Sequence, residues 1–198
     1  MRTFVVVACL ALFVAGCGSP SGNPRVPAGA KSSGGQHAVI DTDRGPIEIE
    51  LLATDAPKAV ENFRLLAEHG YYDGLTFHRI LKGFMIQGGD PNGDGTGGES
   101  AWGGDFDDEI NPDAPLYRNG YRRGELAMAN RGANTNGSQF FIMHADYDLP
   151  PRYVIFGRVT KGLDVVDALA ETQTTMGADR QASKPVTPPT IKTIKIQP

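Results

Sequence analysis

From residue 37 onward, apolar and polar positions follow two periods, and the two-residue period dominates. Ile47, Ile49 and Leu51 alternate with Glu48 and Glu50, as in a strand with one buried face and one wet face. The Ala38-Val39-Ile40 run lies before it across Asp43-Arg44-Gly45-Pro46 and reads as its hairpin partner. Ile191, Ile194 and Ile196 form an apolar strand at the far end, placed to close the sheet. Between these, residues 77–81, 84–87, 126–130, 139–144 and 153–159 also read as strands.

Two segments follow the helical period instead. Thr54 or Asp55 can cap a helix whose first turn holds Pro57, and Val60, Phe63 and Leu66 or Ala67 then share one face. His69-Gly70 ends it, with glycine suited to the left-handed conformation. Residues 163–171 form a shorter helix with Val166 and Leu169 inward. Many strands and two helices predict a mainly β fold, a closed antiparallel β-barrel with helical caps, because closure removes exposed strand edges.

The first 36 residues belong to neither pattern. Arg2 precedes an uncharged apolar run from Phe4 to Ala15, too short to span a bilayer and shaped like a secretory signal. It ends in Val14-Ala15-Gly16-Cys17, which resembles the lipobox of bacterial lipoproteins. That resemblance implies a signal peptide over 1–16, removed before Cys17, and a Cys17 that carries lipid. The chain would then be extracytoplasmic and anchored to a bacterial membrane. Cys9 would leave with the signal, so Cys17 could form no intramolecular disulfide. Residues 17–36, rich in Gly, Ser and Pro, read as a flexible tether, and 37–198 as one domain. The net charge is −4, with no basic stripe and no repeat. Composition therefore argues against a nucleic-acid partner.

Chemistry concentrates in two motifs. The first is Tyr72-Asp73-Gly74-Leu75-Thr76-Phe77-His78-Arg79-Ile80-Leu81-Lys82-Gly83-Phe84-Met85-Ile86-Gln87-Gly88-Gly89-Asp90. The second is Met128-Ala129-Asn130-Arg131-Gly132-Ala133-Asn134-Thr135-Asn136-Gly137-Ser138-Gln139-Phe140-Phe141-Ile142. The glycine-rich Gly95-Thr96-Gly97-Gly98 stands between them. In order and spacing these resemble the signatures of the cyclophilins, and a weaker similarity runs from about Ile47 to Ile196. The resemblance implies an eight-stranded barrel capped by two helices, with a groove on its outer face. It also implies peptidyl-prolyl cis-trans isomerisation without cofactor or metal, by a monomer acting on proline-containing peptides and unfolded exported proteins.

Carried over by position, the resemblance makes Arg79 the catalytic arginine. It puts Phe84, Met85, Phe141 and Leu149 in the proline pocket, and Gln87, Ala129, Asn130 and Gln139 on the substrate backbone. Tyr153 adds an aromatic wall. These residue types suit the chemistry. Amide resonance sets a barrier of about 18–20 kcal/mol to rotation, and no bond is made or broken. An enzyme need only bind the twisted amide more tightly than the planar forms. A permanently charged guanidinium can donate to the prolyl nitrogen once twisting restores its lone pair. Taken singly, Arg79 would read as a strand-surface charge, Phe84, Met85 and Phe141 as core, and Gln139 as a turn or edge residue. Their joint occurrence in two motifs makes a groove. A non-catalytic peptide-binding or chaperone module using the same groove is the alternative.

Other matches fall away. Residues 90–95 imitate a calcium loop, but Ala101 stands where a bidentate glutamate is needed. Residues 93–98 fit a dinucleotide fingerprint by letter only, since they open no helix. His37, His69, His78 and His144 lack metal spacing, and His78 reads as structural, on the strand face opposite Arg79. Asp107-Asp108-Glu109 reads as a solvated acidic turn. The chain also departs from the best-known eukaryotic cyclophilins. Asp148 replaces a tryptophan before Leu149, and Tyr153 takes a histidine's place, which bears on cyclosporin binding more than on activity. Arg131 replaces a frequent alanine, predicting a preference for acidic residues before the proline.

Overall fold

A computed structural model describes residues 25–118 and 120–198. The expected signal over 1–16 and Cys17 lie outside the described residues. Among the described residues no helix is long and apolar enough to cross a membrane.

The alternating segments become strands. β1 (His37–Thr42) and β2 (Gly45–Leu51) form the expected hairpin, with Ala38 opposite Ile49 and Ile40 opposite Ile47, all four fully buried. β3 (Arg79–Leu81), β4 (Met85–Gly88), β5 (Glu125–Met128), β6 (Phe140–Met143), β7 (Ile155–Lys161) and β10 (Ile191–Gln197) complete one curled eight-stranded sheet. Its order is β10-β1-β2-β7-β5-β6-β4-β3, antiparallel throughout. Among the described residues no ladder joins the end strands β3 and β10. The residues leading into each meet instead. Gly74 N–H donates to Ile191 O at 2.8 Å, Ile191 N–H to Leu75 O at 2.7 Å, and Phe77 N–H to Pro189 O at 2.9 Å. A further hairpin, β8 (Thr174–Met176) with β9 (Ala182–Pro185), forms a separate two-stranded sheet beside β3.

The helices are α1 (Pro57–Glu68) and α2 (Leu163–Ala170). On α1, Val60, Phe63, Leu66 and Ala67 face inward as the period predicts. The cap differs from expectation. Ala56 occupies the N-cap, and neither Thr54 nor Asp55 caps the helix. The Glu109 carboxylate accepts from the free N–H groups of Lys58 and Ala59, each at 2.9 Å. A carboxylate there also answers the positive end of the helix dipole. Asp108 accepts from the Asn136 side chain and from Asn134 N–H. The acidic run is thus a brace between loops, with Asp107 alone exposed. α2 begins after Gly162, whose φ of 91° and close approach to Pro46 O exclude a side chain.

The core lies inside the curled sheet. Phe63 from α1 meets Tyr72, Phe140 and Phe156 at ring separations of 5.2–5.5 Å, and Phe77 reaches Phe140 at 6.5 Å. All five rings are fully buried. Part of the expected tether is seated on this body. Ser32 Oγ donates to Glu61 at 2.6 Å, Ser33 N–H to Glu68 at 2.9 Å, and Leu51 N–H to Gln36 O at 2.8 Å. Polar bonds hold it, since it offers little more than Val26 to the core.

Candidate functional site

The outer face of β3, β4, β6 and β5 carries residues that both sequence motifs single out. Arg79 lies opposite Gln87, Gln87 opposite Phe141, and Phe141 opposite Ala127. This one row across four strands gathers residues from both motifs. Met85 and Gln87 share that face because strand side chains alternate, while Ile86 points to the core. A second apolar cluster of Met85, Tyr117, Tyr121, Ala127, Phe141, Met143 and Ile155 builds the floor. Two tyrosine hydroxyls brace it. Tyr121 Oη donates to Tyr153 O at 2.8 Å and accepts from Tyr153 N–H at 2.9 Å. Tyr117 Oη accepts from Ile155 N–H at 3.1 Å. Burial pushes the Tyr117 hydroxyl up to about 12, and raises that of Tyr121 as well, so both stay protonated and neutral.

Above this floor is a cavity of about 130 Å³. Phe84, Met85, Phe141, Leu149 and Tyr153 give it apolar walls, while Arg79, Gln87, Ala129 and Asn130 give it a polar rim. These are all but one of the expected site residues. Gln139 stands behind them, in an adjoining cavity of about 70 Å³ shared with Arg131 and the Gly95–Gly98 loop.

The rim is organised by a chain of hydrogen bonds. Gln139 Nε2 donates to Gly95 O at 3.1 Å and Gly97 O at 2.8 Å, and its Oε1 accepts from Gln87 Nε2 at 2.9 Å. Gln87 Oε1 in turn accepts from Arg79 Nη1 at 3.3 Å. Both ends of the Gln139 side chain are therefore occupied by protein. The loop it grips is shaped by Asp90, whose buried carboxylate accepts N–H groups from Asn92, Asp94, Gly95 and Gly97. Those bonds explain why residues 90–95 look like a calcium loop: their acid gathers its own backbone. Asn130 is tied through its side chain to Arg152 O at 2.8 Å, and neither of its backbone groups is hydrogen-bonded among the described residues. Ala129 N–H is taken by Gln139 O at 2.9 Å.

Two partners escaped the sequence reading. Arg79 Nε donates to Asp179 Oδ2 at 2.8 Å, from a turn a hundred residues on. Only the fold brings them together, so no local pattern could have announced the pair. Burial acts to raise the Asp179 carboxyl, but hydrogen bonds from Ser183, Arg79 and Gln181 outweigh it and hold the group below its usual range. Arg131 meets Asp105 at 3.0 and 3.1 Å. A substrate acid would compete with Asp105 for that guanidinium.

Known proteins resemble this chain over most of its length. A family model described as cyclophilin type peptidyl-prolyl cis-trans isomerase/CLD matches residues 37–196. Arabidopsis thaliana peptidyl-prolyl cis-trans isomerase CYP18-1 is 51% identical over 139 residues, covering 70% of this chain and 84% of the relative. Peptidyl-prolyl cis-trans isomerase 9 of Schizosaccharomyces pombe is 51% identical over 148 residues, or 71% of this chain. The chain spans 22% of that longer relative. A solved Cryptosporidium parvum cyclophilin-type isomerase superposes with a TM-score of 0.72 at 41% identity, covering 83% of this chain and 98% of that one. It has also been solved in the presence of the dipeptide Ala-Pro.

Proposed function

The chain belongs to the cyclophilin-type peptidyl-prolyl cis-trans isomerase family, and we propose that its outer cavity is where X-Pro bonds are turned. The observation that carries this reading is the state of the Arg79 guanidinium at the rim. Its Nε and Nη1 are held by Asp179 and Gln87, while Nη2 makes no hydrogen bond among the described residues. Phe84, Met85, Phe141 and Leu149 grip the pyrrolidine ring, with Tyr153 as a further wall. Gln87 and the unpaired backbone of Asn130 hold the flanking peptide. As the preceding carbonyl swings, the prolyl nitrogen pyramidalises and accepts from Arg79, a bond formed mainly in the transition state.

The test is isomerisation of a proline tetrapeptide by the protein beside Arg79→Ala. We expect kcat/KM to fall about 10²–10³-fold, the loss seen when one preorganised donor is removed. Unchanged turnover would remove Arg79 from the mechanism. Peptide binding without turnover in the wild type would make the groove a binding module.

In the same reading the sheet closes as a barrel. The backbone bonds of Gly74, Phe77 and Ile191 support a seam between the approaches to β3 and β10. The sequence at Cys17 supports a lipid anchor on the outer side of a bacterial membrane, with unfolded exported proteins as clients and a monomer as the working unit. Palmitate labelling of the protein and of Cys17→Ser tests the anchor. Label on the wild type alone is expected, and label on neither would end the idea.

A further inference from the structure

We propose that Asp179, at the tip of the β8–β9 hairpin, is a positioning residue that fixes the Arg79 guanidinium so that Nη2 remains the free donor. The inference rests on the reading of Arg79 as the group that answers the twisted amide.

A guanidinium held at one edge can still swing about that bond. Held at two edges, its plane is set. Gln87 Oε1 at 3.3 Å and Met85 Sδ at 3.9 Å engage Nη1, both from β4. Among the described residues the opposite edge has one partner, Asp179 Oδ2 at 2.8 Å from Nε. This is the shortest hydrogen bond the guanidinium makes, and it joins two charges. The Arg79 and Asp179 side chains are 30% and 24% exposed, so the pair is partly withdrawn from solvent.

The hairpin turn is arranged around this carboxylate. Its Oδ1 accepts from Ser183 Oγ at 2.7 Å and from Gln181 N–H at 3.1 Å, which leaves Oδ2 for Arg79. Gly177 N–H closes the turn on Gln181 O at 2.7 Å, and Arg180 takes a left-handed φ of 59°. A surface turn needs no acid bonded outside itself, so local stability does not explain the Oδ2 contact. The carboxyl sits below its usual range and is charged at neutral pH. The result is an arginine whose orientation is settled before substrate arrives, and preorganisation of this kind raises kcat rather than affinity.

The experiment measures kcat and KM on one proline tetrapeptide for the wild type, Asp179→Ala, Asp179→Asn, Met176→Ala and Arg79→Ala, with the Arg79 Nε–H followed by NMR. Asp179→Ala should lower kcat about tenfold, leave KM within about twofold, and expose the Arg79 Nε–H to rapid exchange. Asp179→Asn keeps an acceptor without the charge and should fall between; it carries the test if the alanine variant unfolds. Met176→Ala changes an exposed side chain of the same hairpin and should match the wild type. Wild-type kcat in both Asp179 variants, or a loss confined to KM, overturns the proposal. If Arg79→Ala itself keeps wild-type kcat, the reading of Arg79 falls instead. If Arg79→Ala is inert while the Asp179 variants are not impaired, only the positioning role is lost.

Discussion

On the inner side of β4, β5 and β6, Ile86, Leu126, Met128, Phe140 and Ile142 meet the rings around Phe63. On the outer side of the same strands, Met85, Ala127, Phe141 and Met143 pack with Tyr117 and Tyr121. The floor residues on the two sides are almost equally buried: Phe140 is 0% exposed and Phe141 4%. What differs is how each cluster ends. The inner one centres on aromatic rings that are fully buried between α1 and the sheet. The outer one ends in partly buried Phe84, Leu149 and Tyr153, beside the hydrogen-bonded series Arg79, Gln87, Gln139. An apolar floor with an open cavity and a fixed polar rim can hold a ring and leave its amide to react, which a sealed core cannot do.

Neighbouring phenylalanines test that contrast most strongly. Phe140→Ala leaves a closed void among aromatic rings and should cost about 3–5 kcal/mol of unfolding free energy. Phe141→Ala opens onto the existing cavity and should cost about 2 kcal/mol, the transfer part without a closed void. Its larger signature should be a raised KM for proline peptides, with the Phe140 variant unchanged in KM wherever it stays folded. Urea unfolding and peptide kinetics on both variants decide it. Equal stability costs and an unmoved KM would mean that the outer cluster is a second core.

The same contrast explains what the sequence could and could not convey. Where one face is wet, as along Ile47, Glu48, Ile49 and Glu50, alternation gives strand and register directly. β6 is buried on both faces, so periodicity alone cannot separate the groove side of Phe141 from the core side of Phe140. The motif resemblance carried that assignment. Features held by long-range polar bonds left no local trace. Glu109 caps α1 from fifty residues away, and Asp179 reaches Arg79 across a hundred. β8 is short and largely exposed, with no apolar alternation to announce a strand, and the two buried positions of β9 are Ser183 and Pro185 rather than large apolar residues. Residues 25–36 have the composition of a free tether, and serine-to-glutamate bonds nevertheless seat them.

The smallest expected effect contrasts two adjacent residues of unequal burial. Arg79 lines the outer cavity, whereas His78 is 8% exposed and neither ring nitrogen has a hydrogen-bond partner among the described residues. Burial lowers the His78 imidazole below its usual 6.5; nearby Asp90 opposes this, Arg79 reinforces it, and Asp94 opposes it again. Because these influences partly cancel, the effect on stability should be modest. Its sign is fixed. Well above pH 6.5 the ring is neutral in both folded and unfolded chains and contributes no pH dependence. Below 6.5 the unfolded chain takes up the proton first, so acidification through the folded value destabilises the native state. The Tm of the wild type should therefore drop more between pH 7 and pH 5 than that of His78→Phe, whose ring has no proton to gain. Parallel declines would show that His78 is protonated as readily in the fold as outside it, and the burial that distinguishes it from Arg79 would carry no electrostatic consequence.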